Sequence, residues 1–472
     1  MDSLAWLVYC EQCPAAYVYA HFITGMPLAV ELMAPAIART LVSCDVPVSP
    51  SGRFAGSEKC GDRGHVLNVG LMIFACGLSC LHAVRALMCV VWGPLSGVLG
   101  RRFLAIMGLI CMTLSATLFL LATYSPSWAV ACFVIGMGLN GVLHADPQKF
   151  DLANDINGLR NGDGQSFFVI TGFPFSIKGL FLLPAWLLQF MMVTDYTYAL
   201  ITVILLDVVM LVLVFMGLPD IRPWRAQFQL PMMELVSTHV PKALSDNLNG
   251  YRDLFKNEYG NWLTATWTSR CFANGWSLAI ADSHIMALSG LEAWQMSLLW
   301  LPQVGILFLN GGLMGGGTFQ AMVDSKGCKS AWFWSIQVLW AVEMVKILIP
   351  LLGAALFVFY QCCILTLIVG HDGLYESING KVFGDQTGKY NELKGLIHNL
   401  TAAVAIPLAA LVFDAKATTL LGQAGPIIQA VLLRFVEIGV TWAPNGSHRI
   451  IGGALDGVES DRQQFLWQMK QK

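Results

Sequence analysis

Apolar runs of about 20 residues recur along the whole chain, separated by short polar gaps. At about 1.5 Å of helical rise per residue, such a run covers the roughly 30 Å of hydrocarbon in a bilayer. Lipid offers no partner to a peptide N–H or C=O. A spanning segment must therefore close its hydrogen bonds within a helix or around a closed barrel. The runs lack the two-residue alternation of barrel strands, so helices follow. Composition agrees: 56% of the 472 residues are hydrophobic and 12% charged, about half the roughly 25% charge of a soluble domain. The expected class is an all-α integral membrane protein.

The runs predict twelve helices, or ten or eleven where the weaker divisions are merged. Six lie near 15–38, 67–92, 103–124, 128–145, 166–190 and 196–216, and six near 263–288, 295–314, 331–349, 351–370, 395–413 and 418–440. The stretch 331–370 is one apolar block, divided here at Pro350 and Gly353. The layout is an N-terminal bundle (1–216), a linker (217–262), a C-terminal bundle (263–440) and a tail (441–472). The linker carries Arg222, Arg225, Lys242, Arg252 and Lys256, and the gaps on its side of the membrane hold most of the remaining loop lysines and arginines. The opposite gaps hold Arg53, Lys59, Arg63 and Lys416. Basic residues stay on the cytoplasmic side, so linker and both termini are expected there, with the plasma membrane as the expected location.

Several function classes are disfavoured. A formal net charge of -2 gives no electrostatic footing for nucleic acid. Cys10 and Cys13 form a lone CxxC without a second ligand pair, and no cofactor or metal is expected. Cys44 and Cys60 share one polar gap and could pair if it faces outside. A polytopic enzyme would need clustered histidines and carboxylates at one face, and His371-Asp372 stands by itself as an adjacent pair.

Three loop patterns stand out. After the second run comes Gly93-Pro-Leu-Ser-Gly-Val-Leu-Gly100-Arg101-Arg102, and after the eighth Asp324-Ser-Lys-Gly-Cys-Lys329. After the fourth come Asp151-Leu-Ala-Asn-Asp155, Arg160 and Phe167. A tight glycine turn with basic residues suits pairing with helix ends between conformations. Together with the six-plus-six layout, these patterns resemble the major facilitator superfamily, and the third resembles its tetracycline-exporter-like and folate-carrier-like members. The stretch from Leu374 to Phe413 resembles fungal members. The resemblance implies a twelve-helix bundle of two pseudo-symmetric halves. Gly93, Gly100, Arg101, Arg102, Asp155, Asp324 and Lys329 become its conformational loop residues. Two departures are visible: Gly97 and Val98 replace the family's Asp and Arg, and Cys132 stands where drug–proton exchangers carry an arginine before Gly136-Met-Gly138. The coupling ion is left open.

Ionisable groups at membrane depth are costly and mark candidate sites. Glu31 in the first run and Asp282 with His284 in the seventh are the coupling candidates, because a partly dehydrated carboxylate can exchange protons near neutral pH. Lys178 could hold an anionic substrate group or pair with Asp207. Asn140 and Gln361 could line a path or bond between helices. Arg85 is read as snorkelling to the surface. Glu343 with Lys346, and Arg434 with Glu437, are read as local pairs at helical spacing. The expected function is a secondary or facilitative carrier of a small organic solute, working by alternating access as a monomer, with protons as the candidate partner ion. The rival readings are a degenerate facilitator serving as a receptor and a polytopic enzyme.

Overall fold

A computed structural model describes residues 14–42, 62–124, 127–143, 197–218, 232–256, 258–291, 299, 317–348, 353, 355–356, 358–359, 375, 378–380, 382–417, 420–442 and 447–471. The expected helix at 166–190 and most of those at 295–314 and 351–370 lie outside these residues. So do Cys44, Cys60, Asp155, Lys178, Gln361 and His371. Every described element is helical, and no strand occurs among the described residues.

Numbered over the described residues, the helices begin with α1 (Pro14–Thr40), α2 (Arg63–Leu99), α3 (Arg101–Tyr124) and α4 (Ala129–Val142). Next come α5 (Thr197–Gly217) and, in the linker, α6 (Val240–Leu254). The second half supplies α7 (Glu258–Ser289), α8 (Gly317–Met344), α9 (Thr387–Val412), α10 (Leu420–Trp442) and α11 (Ser447–Gln471). Four of them, α2, α5, α9 and Arg102–Tyr124 of α3, are long and apolar enough to cross a membrane. In α7 the apolar run is interrupted by Arg270, Asn274 and Asp282.

Between lipid tails, helices associate by close van der Waals packing, and small residues permit it. A Cβ on Gly141 would stand 2.6 Å from the backbone oxygen of Leu81, so α4 touches the α2 backbone there. Gly136 lies under the Phe119 ring of α3 and Gly77 under Phe133, whose rings are 5.5 Å apart. The Gly136-Met-Gly138 pattern therefore wedges α4 between α2 and α3. Outward, Met107, Leu114, Leu121, Ile135, Val209, Leu411 and Leu432 form exposed apolar faces suited to lipid.

The linker and tail are not loops. In α6, Asn247, Tyr251 and Leu254 face inward, and Leu235 just before it is buried with Val98 and Leu99 of α2. In α11, Ile451, Leu455 and Val458 recur at helical spacing and bury against Cys328 and Trp332 of α8. Each bundle thus carries a surface helix laid over its own glycine turn.

Candidate functional site

The seam between the two halves runs along α2 and α9. At its far end, away from α6 and α11, Asp62 caps α2 by accepting from His65 N at 3.0 Å and binds Lys416 Nζ at 2.6 Å. Asn68 donates to Asp414 at 3.1 Å and accepts from Ala415 N at 2.8 Å. Arg63 donates to the carbonyls of Met286 at 3.2 Å, Gly290 at 3.0 Å and Leu291, which end α7. A guanidinium on orphan C-terminal carbonyls is favoured by the helix dipole. The Lys416 hydrogen bond holds the Asp62 carboxyl below its usual range, and the cap N–H adds to this.

Midway along the seam the ties are part-buried or buried. Ser79 donates to Ala403 O at 2.6 Å, and His82 Nδ1 meets Asn399 Oδ1 at 2.8 Å. Asn399 Nδ2 donates to Gly395 O at 2.7 Å, so its carbonyl oxygen faces His82, and His82 Nδ1 carries the hydrogen. The His82 ring stands edge-on to His398, centroids 5.9 Å apart, and His398 Nδ1 lies 3.3 Å from Cys271 Sγ of α7. Asn399 Nδ2 also lies 3.8 Å from Cys89 Sγ of α2.

Two ion pairs flank the seam. Arg85 does not snorkel: its guanidinium meets Glu31 of α1, with the two side chains 15% and 14% exposed. Sequence reasoning missed this because an arginine stem near a helix end normally reaches water, and nothing local marks a carboxylate on a neighbouring helix. On the other flank Arg434 pairs with Glu437 at 2.7 Å, as the spacing predicts. It also takes Glu343 of α8 at 3.5 Å and donates to Asn274 of α7. Glu343 is thus drawn across to α10; the Lys346 side chain is outside the described residues.

The remaining candidates scatter. Asn140 is buried and donates to Pro27 O at 3.4 Å, a tie from α4 to α1. Asp282 is half-buried on α7. His284 is buried edge-on to Phe413 at 6.1 Å, its ring nitrogens without hydrogen-bond partners among the described residues. Asp207 is fully buried in α5, also without a partner among the described residues. None of these four joins the cluster around His82.

Both loop motifs hold a glycine at positive φ. Gly100 takes φ +94 and donates to Ser96 O at 3.1 Å, a conformation that disfavours any side chain. Arg102 beyond it caps α5 by donating to Phe215 O, its guanidinium over the Phe215 ring at 5.1 Å. The Arg101 and Asp324 side chains are outside the described residues. In the second half Gly327 takes φ +79 and breaks α8. Glu459 of α11 accepts from Cys328 N at 3.0 Å, and Asp456 binds Lys329 at 3.2 Å. In the first half, Gly93 faces Glu392 of α9. Tyr251 of α6 donates to Glu392 at 3.1 Å and Asn247 donates to Val90 O at 2.8 Å.

No protein-family model matches the chain, and no curated protein matches it. Its three-dimensional structure does match solved proteins. The human organic anion transporter MFSD10 (TETRAN) is similar over 90% of this chain and 98% of its own, at 15% identity and a TM-score of 0.55. The nucleoside transporter NupG covers 90% and 99% at 11% identity and 0.59. A D-xylose-proton symporter covers 91% and 97% at 11% identity and 0.60. Nearly the whole length of each neighbour is covered, and the chain has the major-facilitator-type fold.

Proposed function

We propose that this chain is a secondary carrier that moves a small organic solute by alternating access, with α6, α11 and both termini on the cytoplasmic side. The observation that supports this most directly is the His82–Asn399 bond, a buried polar contact at mid-length between α2 and α9. Polar groups are retained at membrane depth where a path or a switch needs them. A seam built from a few discrete ties can break at one end while the other holds, which is what rocking of two bundles demands. The structural neighbours transport organic anions, nucleosides and xylose. Such breadth fits a carrier whose solute is set by side chains rather than by fold. The finer likeness to tetracycline-exporter-like and folate-carrier-like members rests on residues 151–167, outside the described residues.

Glu31 is the coupling carboxylate in this reading. It forms an ion pair with Arg85 of α2 inside the N-terminal bundle. The test is purified protein in liposomes, with uptake of labelled organic anions, nucleosides and sugars measured with and without a pH gradient. Saturable uptake driven by the gradient and lost in Glu31→Gln is expected. Flux indifferent to the gradient and unchanged by Glu31→Gln removes the coupling role. Saturable binding without flux makes the chain a receptor.

A further inference from the structure

Gly327 divides α8 in two. Its φ of +79 is a left-handed conformation that suits glycine, and the helix kinks there before running on from Cys328 to Met344. The first N–H groups of the second segment have no partner within it, and the tail helix supplies one: Glu459 of α11 accepts from Cys328 N at 3.0 Å. A carboxylate in that place is favoured by a charge-assisted bond and by the helix dipole. Gln463 donates to its other oxygen at 2.7 Å and holds it in position. One turn earlier on α11, Asp456 takes Lys329 at 3.2 Å. Gly452 leaves room for the Lys329 stem, which lies 3.3 Å from where a Cβ would stand. Ile451, Leu455 and Val458 share one buried cluster with Val323 before the kink and with Cys328, Ala331 and Trp332 after it. The tail helix therefore grips α8 on both sides of its break.

A glycine kink between two helical segments has the geometry of a hinge, because a few dihedrals there swing the whole second segment. Near the far end of that segment Glu343 meets Arg434 of α10 at 3.5 Å. The helix from Cys328 to Glu343 is about 22 Å long, so a tilt of about 10° at Gly327 carries Glu343 by about 4 Å. That shift is as large as the separation of the pair. Through this arm, the seating of α11 sets the position of an ion pair that joins α8 to α10. Of the two polar holds, the Asp456–Lys329 pair is about half-exposed and contributes little. The Glu459 cap and the apolar stripe carry the grip. A contact that holds one arrangement of a hinge depletes the others and slows any cycle that must pass through them.

We infer that α11 is an autoinhibitory splint on the Gly327 hinge: seated, it holds the carrier in this arrangement, and lifted, it frees α8 to swing. The inference rests on the carrier reading above, but Cys328 supplies a readout that needs no transport. Its thiol is 1% exposed within the cluster that α11 covers, so a maleimide reaches it when the tail lifts. The full chain in liposomes is treated with N-ethylmaleimide, and each cysteine is followed by peptide mass spectrometry. Glu459→Ala is expected to raise Cys328 labelling at least ten-fold, with Cys271, equally buried on α7, unchanged. Glu459→Gln keeps a neutral acceptor of the same shape and holds the rate within a few-fold of wild type. Uptake is measured in the same liposomes with labelled benzoate, uridine and xylose. For whichever of these wild type takes up saturably, Glu459→Ala raises the maximal rate at least three-fold at an unchanged half-saturating concentration. Cys328 labelling unchanged in Glu459→Ala overturns the grip, and labelling that rises equally at Cys271 overturns it as general loosening. Faster Cys328 labelling with an unchanged or lowered maximal rate overturns the inhibitory role and leaves the carrier standing. No saturable uptake of any probe by wild type removes the carrier reading and the inhibitory role together, and Cys328 labelling then still decides whether α11 splints the hinge.

Discussion

His82 and Asn399, 317 positions apart, close the middle of the seam with one buried hydrogen bond whose direction is fixed by the second bond Asn399 makes to Gly395. Removing His82 leaves the Asn399 carbonyl without its donor in a site with little water. A buried polar group stripped of its partner costs about 1–3 kcal/mol. His82→Phe and Asn399→Leu are each expected to lower the melting temperature of the detergent-solubilised protein. The double variant should lose less than the two losses added, because the orphaned group is gone. Strict additivity would mean the two side chains do not depend on each other.

The Glu31–Arg85 pair lies inside the protein, with both side chains mostly covered. Breaking a buried pair from one side leaves an uncompensated charge and costs about 3–5 kcal/mol, whereas neutralising both partners is far milder. Arg85→Gln should therefore be much less stable than Glu31→Gln/Arg85→Gln. An Arg85→Gln protein that melts with the wild type would place the Glu31 charge in water.

Hydropathy made the described helices outside the linker and tail legible, because a helix between lipid tails must close its own backbone hydrogen bonds. Which polar groups meet was legible only within a helix. Arg434 and Glu437 are one turn apart and their pairing follows from spacing; Glu343 and Asn274 complete the site from two other helices, and no local pattern points to them. The linker and tail read as polar segments because their net composition is charged. Yet Ile451, Leu455 and Val458 in α11 form an apolar stripe that the sequence already carries. Val98 is instructive in the same way. Where the loop motif it resembles places an arginine, this chain has a residue buried with Leu235, an apolar seat for the segment leading into α6.

Helix contact through glycine gives a prediction with an internal control. Gly141 faces the backbone oxygen of Leu81, which cannot rotate away, so Gly141→Val must push α4 from α2. Overpacking of this kind costs about 1–3 kcal/mol. Gly453 in α11 has open space around its Cβ position, and Gly453→Ala should be neutral or stabilising by up to about 1 kcal/mol through the unfolded chain. Thermal melting of both variants checks the contrast; equal effects would refute it.

The far end of the seam should loosen in acid. Asp62 is held below its usual range first by Lys416 and then by the cap N–H of His65, and Asp414 is lowered by the N–H of Lys416 and by Asn68. A carboxylate depressed in the folded state stabilises fully above its unfolded value, near about 3.9, and loses that contribution as pH falls through its folded value. Asp62→Asn should lower the melting temperature at neutral pH, and the difference from wild type should shrink as pH drops below about 4. A gap that persists at pH about 2 would assign the effect to shape rather than charge.

The opposite end depends on α6. Asn247 donates to Val90 O, and the Tyr251 hydroxyl donates to Glu392, so α6 is tied both to α2 and to α9. Burial, with the Glu392 carboxylate beside it, pushes the Tyr251 phenol well above its usual range, so the donor keeps its proton throughout the physiological interval. Each of these bonds contributes about 0.5–1.5 kcal/mol to local closure. Asn247→Ala/Tyr251→Phe should raise amide hydrogen exchange across residues 240–254 by roughly ten-fold or more, while exchange in α4, which α6 does not tie, stays as in the wild type. If α6 exchanges at the wild-type rate, its apolar seat on Val98 and Leu99 holds it without these bonds. If exchange rises in α4 as well, the whole bundle has loosened and α6 is no separate clasp.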